Sequence, residues 1–454
     1  MNKGLNLYVL VVALVAGFAG FIFGFDSSMI ASLKEQIIQQ LALSDWQWSQ
    51  IVSASLLGCI IGIPVSGYFS NKISRKFLLK CTAIGYIIGA LLCALSNSLF
   101  TLLIGRFLIG ICVGIASYVA PLFIAEIAPP NRRGALILIN GLTITFGQAM
   151  AYLAGYFLHD YNWQYLFITA CIPAMMLLLG MLFVPHSPRW IMQKYGAEET
   201  WNVLKKIRPA GYDVSQELNE IQANSSPTQT NYRLLFQKPV IYVLLIGIAL
   251  GIFQQGSGIN AIMYYGPVIF ESAGFLPVKN AILATFCIGV VNFIFTIFTS
   301  FYIDKLGRRV LLLSGTFIAA ISLFSVSYFF AYPAEGQQLW ILGFLSLYVM
   351  GYCISVGSLF WVLIAEIFPL SVRGLAMSIA TLMQCGANFV ISLSFLSVYN
   401  FMGQALTFSL FGFICFLAYQ FIYFFIPETK GVSLEKIETN LISGEKMRNL
   451  GVST

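Results

Sequence analysis

Residues 126–134 read Glu-Ile-Ala-Pro-Pro-Asn-Arg-Arg-Gly and residues 366–374 read Glu-Ile-Phe-Pro-Leu-Ser-Val-Arg-Gly, so that Glu126, Pro129, Arg133 and Gly134 return as Glu366, Pro369, Arg373 and Gly374 at an offset of 240. Two further pairs keep nearly the same spacing. Asn71-Lys-Ile-Ser-Arg75-Lys76 returns as Asp304-Lys-Leu-Gly-Arg308-Arg309 at 233, and Pro185-His186 returns as Pro427-Glu428 at 242. Self-similarity at a fixed offset is the mark of a duplicated structural unit.

Composition says what was duplicated. Hydrophobic residues make up 58% of the 454 and charged residues 9%, against roughly a quarter charged in an average soluble domain. Apolar runs such as 7–25, 99–124 and 341–364 are each long enough to cross about 30 Å of hydrocarbon as a helix. Runs between polar breaks predict spans near 7–30, 49–70, 77–97, 99–125, 134–158 and 164–184, then near 239–270, 280–303, 310–331, 339–366, 374–399 and 404–426. The expected organisation is an all-α membrane protein: an N-terminal six-helix bundle (1–184), a cytoplasmic linker with short helices (185–238), a C-terminal six-helix bundle (239–426) and a cytoplasmic tail (427–454). Helical stretches are expected at 197–207 and 434–442, with a Ser/Thr/Asn-rich piece at 224–231. The first run follows only Lys3 and lacks a small-residue cleavage site before the next span, so it reads as a span rather than a signal peptide.

The net charge of +7 reports topology rather than a nucleic-acid partner. With a cytoplasmic amino terminus, Lys34 and Lys279 fall outside, Arg106 falls within a span, and the remaining 22 of 25 Lys and Arg face the cytoplasm. Both termini are therefore expected inside. The nine cysteines sit in apolar runs without metal-ligand spacing and read as packing residues. An enzyme lacks its parts: the two histidines, His159 and His186, fall at predicted loops, and there is no nucleophile motif, metal cluster or phosphate loop. No metal and no cofactor is expected. What remains is a carrier of a small polar solute, since duplicated helical bundles place binding sites near mid-membrane.

Two sets of polar residues stand out within the spans. Asp26 lies in an apolar helix, where an unpaired carboxylate costs about 2.5–3.5 kcal/mol on insertion scales. Arg106, the one arginine within the predicted spans, lies near the start of span 4 on the side where span 1 ends, which makes the two natural partners. They read as a proton switch or as a permanent ion pair. In span 7, Gln254 and Gln255 are followed by Asn260 and Tyr264, with positions 256, 260 and 264 one helical step apart. Neutral amides of this kind suit a ligand whose hydroxyls both donate and accept, although buried amides also tie helices together. Gly256, Ser257 and Gly258 are expected to loosen the helix there.

The motifs Gly24-Phe25-Asp26, Gly105-Arg106, Pro185-His-Ser-Pro-Arg-Trp190, Gln254-Gln255 with Asn260, Asp304 to Arg309, and Pro427-Glu-Thr-Lys-Gly431 occur in the order seen in the sugar porter family of the major facilitator superfamily, which the chain resembles over nearly its whole length. The resemblance implies a major facilitator fold of 12 transmembrane helices in two bundles facing a central cavity that opens alternately to each side. It implies proton-coupled import of a monosaccharide, a pentose, hexose or polyol, with the proton as coupling ion and Asp26 with Arg106 as coupling pair. By similarity to the xylose/proton symporters, sugar contacts map onto Phe23, Gln148, Gln254, Gln255, Asn260, Tyr264, Asn292, Gly357, Trp361 and Gln384. A cytoplasmic gate maps onto Arg75, Glu126, Arg133, Arg189, Asp304, Arg308, Arg309, Glu366, Arg373 and Glu428, with the Glu126/Arg133 and Glu366/Arg373 pairs at its centre. The implied setting is a bacterial inner membrane, with the protein functional as a monomer among lipids.

The chain departs from the family pattern at several points. Asn71 replaces an aspartate and Ser74 a glycine in the first half, so that half of the gate is expected to be weaker or differently balanced, and His186 replaces a glutamate, which removes one acid partner. Ser358 and Cys385 stand where relatives often carry proline and tryptophan, which leaves the sugar itself open. Rival readings are an uncoupled sugar facilitator, a proton antiporter for another small solute, and a non-transporting sugar sensor.

Overall fold

The computed structural model describes residues 7–70, 72–129, 132–209, 212–223, 235, 237–369, 372–430, 432, 434–443, 448 and 450. Lys3, Asn71, the 224–231 segment, Gly431 and the Asp304 side chain lie outside the described residues.

Among the described residues, twelve helices are long and apolar enough to cross a bilayer. Spans 1 to 6 are Leu7–Leu41, Asp45–Ser70, Arg75–Ala94, Leu99–Ile127, Arg133–Leu158 and Gln164–Phe183; spans 7 to 12 are Lys238–Ser272, Val278–Ile303, Arg308–Ala331, Gln337–Ile367, Arg373–Met402 and Gln404–Phe425. The expected and observed spans agree to within a few residues at most ends. Span 1 is the exception: beyond Met29 it continues through a 3-10 turn, Ile30–Leu33, into the polar helix Lys34–Leu41, which ends on Ala42 in the left-handed region. Hydropathy alone stops at the lysine, whereas the backbone goes on.

The chain divides into two compact units, Met1–Leu43 with Gln50–Thr228 and Ser44–Ser49 with Gln229–Thr454. In the first, helices approach backbone to backbone. A Cβ on Gly110 of span 4 would stand 2.0 Å from the Ser55 carbonyl oxygen of span 2, and one on Gly24 of span 1 would stand 1.9 Å from the Ile144 carbonyl oxygen of span 5. With lipid as apolar as the side chains, close packing of small residues is what holds such helices together. Short helices follow span 6 at Pro188–Tyr195, Ala197–Ile207 and Val214–Ala223. Ser187 caps the first of these by accepting from the Trp190 N–H, with Pro188 at its start.

In the second unit, spans 7 and 10 are interrupted. Span 7 consists of Lys238–Gly256 and Ile259–Ser272, separated at Gly258, whose φ of +87° favours glycine. A Tyr348 hydroxyl donates to the Ser257 carbonyl at 2.9 Å and satisfies backbone freed by the break. Span 10 carries a π-helical turn, Cys353–Gly357, in which Ser355 leaves helical geometry. The tail helix spans Leu434–Ile442.

Gly110→Ala is expected to overpack the contact of spans 2 and 4 and cost about 1–3 kcal/mol. Gly141→Ala, where a Cβ meets nothing within 4 Å, serves as its control. Thermal unfolding in detergent should show a lowered midpoint for the first alone; equal midpoints would mean that the approach is not tight.

Candidate functional site

Three polar assemblies survive among the apolar helices. The first lies within the first unit, where Arg106 is 1% exposed and Asp26 3% exposed. Arg106 Nη1 donates to Asp26 Oδ1 at 2.6 Å, Nη2 donates to the Ser55 hydroxyl at 2.8 Å, and Nε donates to the Ile51 carbonyl at 3.4 Å. The geometry brings together the two residues paired from sequence. It adds Ser55 and Ile51 of span 2, which no motif singles out. Their signal was indirect: Gly110 admits the backbone of span 2 at Ser55, one turn of span 4 beyond Arg106.

The second assembly lies within the second unit around the break in span 7. Gln254 donates its amide to the Val356 and Gly357 carbonyls at 3.0 and 3.2 Å, backbone groups at the end of the π-helical turn. Its oxygen accepts from Gln384 at 3.1 Å. Across the break, Asn260 donates to Gln255 Oε1 at 2.7 Å, so the halves of span 7 stay bridged although Asn260 and Tyr264 no longer share one continuous helix with the glutamines. Cys385 donates to Gln384 Oε1 at 3.3 Å, and Cys353 donates to Asn292 Oδ1 at 3.0 Å. Tyr264 is buried and Trp361 is 45% exposed. Several of these amides therefore act as links between helices in this structure. The sequence missed Tyr348 and Cys353, both hidden in an apolar run. Of the two first-unit candidates, Gln148 is buried and Phe23 half-buried.

The third assembly appears once in each unit at the ends of spans 4 and 10. Arg75 holds Glu126 at 3.0 Å, and Arg308 holds Glu366 at 3.0 Å. The partner of Glu126 is thus the loop-motif arginine rather than Arg133, which makes no ion pair among the described residues. That corrects the expected Glu126/Arg133 pairing: the arginine starting span 3 reaches the carboxylate from the neighbouring helix. Arg373 donates to the Phe368 carbonyl at 3.3 Å, and Arg189 is exposed.

The two copies are finished differently. In the second unit Thr429 donates to the free Glu366 oxygen at 2.5 Å, and Glu428 accepts from the N–H groups of Arg308 and Arg309 at 3.0 Å each, capping span 9. In the first, Glu126 Oε2 and Arg75 Nε and Nη1 are buried without hydrogen-bond partners among the described residues. His186, at the position of Glu428, places Nδ1 2.7 Å from the hydroxyl of Ser74, the residue before span 3, and stacks on Trp190.

Residues 12–441 match the model of the family described as "Sugar (and other) transporter". The chain is 35% identical to the D-xylose transporter of Levilactobacillus brevis over 93% of both chains. It is 33% identical to the arabinose-proton symporter of Escherichia coli (strain K12) over 99% of this chain and 96% of that one. A solved structure of the xylose transporter from E. coli superposes with a TM-score of 0.84 at 32% identity, covering 95% of this chain and 99% of that one.

Burial first, then Lys76, Lys80 and Lys194, push His186 down from the usual histidine range. The folded chain then binds this proton less readily than the unfolded chain, so stability falls as pH drops through the unfolded value of about 6.5 and levels out below the folded one. His186→Gln is expected to flatten that acid limb. Melting temperatures taken from about pH 7.5 to about pH 5.5 should fall further for the wild type than for the variant, and parallel curves would remove His186 as the cause.

Proposed function

This chain belongs to the sugar (and other) transporter family, and from that premise we propose that it is a proton-coupled sugar importer working by alternating access, with Asp26 and Arg106 as the coupling pair. It is a multi-pass membrane protein with the major facilitator fold, and its relatives are transporters rather than enzymes. The observation that carries the coupling is the buried ion pair between Arg106 and Asp26, each at most 3% exposed.

A buried pair is weak evidence for stability, since its desolvation offsets its attraction, and losing one charge strands the other at about 3–5 kcal/mol. Arg106 has an arrangement that softens this loss. When a proton neutralises Asp26, the guanidinium keeps the Ser55 hydroxyl and the Ile51 carbonyl, so the carboxylic acid can let go without leaving a bare cation. Proton arrival at one oxygen then changes which helices are tied to span 4: span 1 is freed while span 2 stays held. That is the element a coupling ion needs to bias.

For the sugar, the neutral chain Gln384–Gln254–span 10 is the feature of interest. Gln254, Gln255, Asn260, Tyr264, Asn292, Gly357, Trp361 and Gln384 offer donors, acceptors and an aromatic face without net charge, which suits hydroxyls. The relatives named for xylose and arabinose support a monosaccharide. Lysine and arginine bias supports cytoplasmic termini in a bacterial inner membrane.

Asp26→Asn keeps the shape and a hydrogen-bond acceptor but removes the titrating proton. In proteoliposomes, sugar counterflow is expected to persist while sugar-driven alkalinisation of the outer medium is lost. Unchanged proton uptake would assign coupling elsewhere, and a wild type that carries sugar with no proton would make the protein a facilitator.

A further inference from the structure

The charged side chain most fully enclosed outside the spans is Arg208, at the end of the linker helix Ala197–Ile207 and 3% exposed. Its fork holds Glu217 of the helix Val214–Ala223 with both arms: Nε to Oε2 at 2.7 Å and Nη2 to Oε1 at 2.5 Å. The same guanidinium reaches out of the linker. Nη1 donates to the Ile127 carbonyl at 2.8 Å and Nη2 to the Ala128 carbonyl at 3.4 Å. Ile127 is the last residue of span 4 and Ala128 its C-cap, so these are carbonyls that the helix leaves without internal partners. A cation at this end is also favoured by the helix dipole.

The neighbour in sequence gives this contact its meaning. Glu126, one residue before Ile127, carries the carboxylate that holds Arg75 at the start of span 3. We propose that Arg208 is a positioning residue for this ion pair: by fixing the last peptide groups of span 4, it aims Glu126 at Arg75, and Glu217 keeps the fork aimed. The linker helices then form part of the cytoplasmic charge assembly of the first unit. Thr200, Leu204 and Ile207, each 0% exposed, seat the linker helix firmly enough for such a role. In the second unit Thr429 secures the free oxygen of Glu366. In the first, where Glu126 Oε2 has no such partner among the described residues, the aim of the carboxylate rests on the backbone behind it.

This inference rests on the reading of the charge assembly as a gate in transport, so the test separates the two. Hydrogen exchange of the full chain in lipid nanodiscs is compared for wild type, Arg208→Gln, Arg208→Lys, Glu217→Gln, Glu126→Gln and the Arg208→Gln/Glu126→Gln double variant. Residues 78–84 of span 3, which contribute none of the Arg208 hydrogen bonds named above, are the readout. Arg208→Gln is expected to speed their exchange about tenfold, the scale of one charge-assisted hydrogen bond. Glu217→Gln should do so less, and Arg208→Lys, which can still donate to carbonyls, should recover part of the protection. In the Glu126→Gln background the Arg208 change should add nothing. Faster exchange confined to residues 124–128 and 197–223, or an undiminished effect without Glu126, would overturn the proposal and leave Arg208 a local fastener. If Arg208→Gln does not fold, Glu217→Gln carries the same cycle. Sugar and proton uptake by the wild type in proteoliposomes decides the transport reading separately, because the exchange result does not depend on the solute.

Discussion

Hydrocarbon offers no hydrogen bonds, so polar groups buried among the spans have to find their partners within the protein. Helices settle most of this for the backbone. Where they break, a side chain takes over: Tyr348 satisfies the Ser257 carbonyl beside Gly258, and Gln254 satisfies two carbonyls at the π-helical turn of span 10. Charged groups obey the same constraint more strictly. Arg106 spreads its donors over Asp26, Ser55 and Ile51, so no single change leaves the cation bare. The groups that make the helices irregular or polar are thus also the ones proposed above to bind the solute and to couple the proton.

Duplication fixed the plan of both units but not their finish. Each copy has an arginine at the start of its third helix reaching an acid at the end of its fourth. Around that shared bond the copies diverge. The second unit closes its acid with Thr429 and caps span 9 with Glu428, using two consecutive residues just past the end of span 12. The first unit has His186 where a carboxylate stands in the other copy, and it draws a cation from the linker to the carbonyls behind its acid. That node is thereby joined to a more distant element of the chain. The linker, which reads from sequence as a tether, carries one of the most enclosed arginines in the chain.

The span pattern was legible because hydropathy acts over twenty residues at a time, and the repeat was legible because Glu126 and Glu366 recur at the same spacing from a proline, an arginine and a glycine. Asp26 and Arg106 could be paired because charges within apolar runs are few. Other features depend on three-dimensional neighbours. Nothing in a run of apolar letters marks Ser55, Tyr348 or Cys353 as partners of functional groups, since their value comes from the helix opposite. The Glu126 pairing misled for a related reason: Arg133 is close in sequence, but the chain turns between them, and Arg75 arrives from the adjacent helix. Arg208 looked like one more cytoplasmic cation, and only its enclosure sets it apart. The extension of span 1 to Leu41 escaped because a helix outside the hydrocarbon no longer needs apolar residues.

The break at Gly258 has an electrical side. It turns one helix dipole into two set end to end, with the carbonyl end of Lys238–Gly256 facing the N–H end of Ile259–Ser272. Each end carries roughly half an elementary charge, of opposite sign. A field therefore exists inside the apolar region where no side chain is ionised, close to Gln255 and Asn260. A neutral molecule with several hydroxyl dipoles is turned by such a field without being held by an ion, so it can be oriented on entry and still released cheaply.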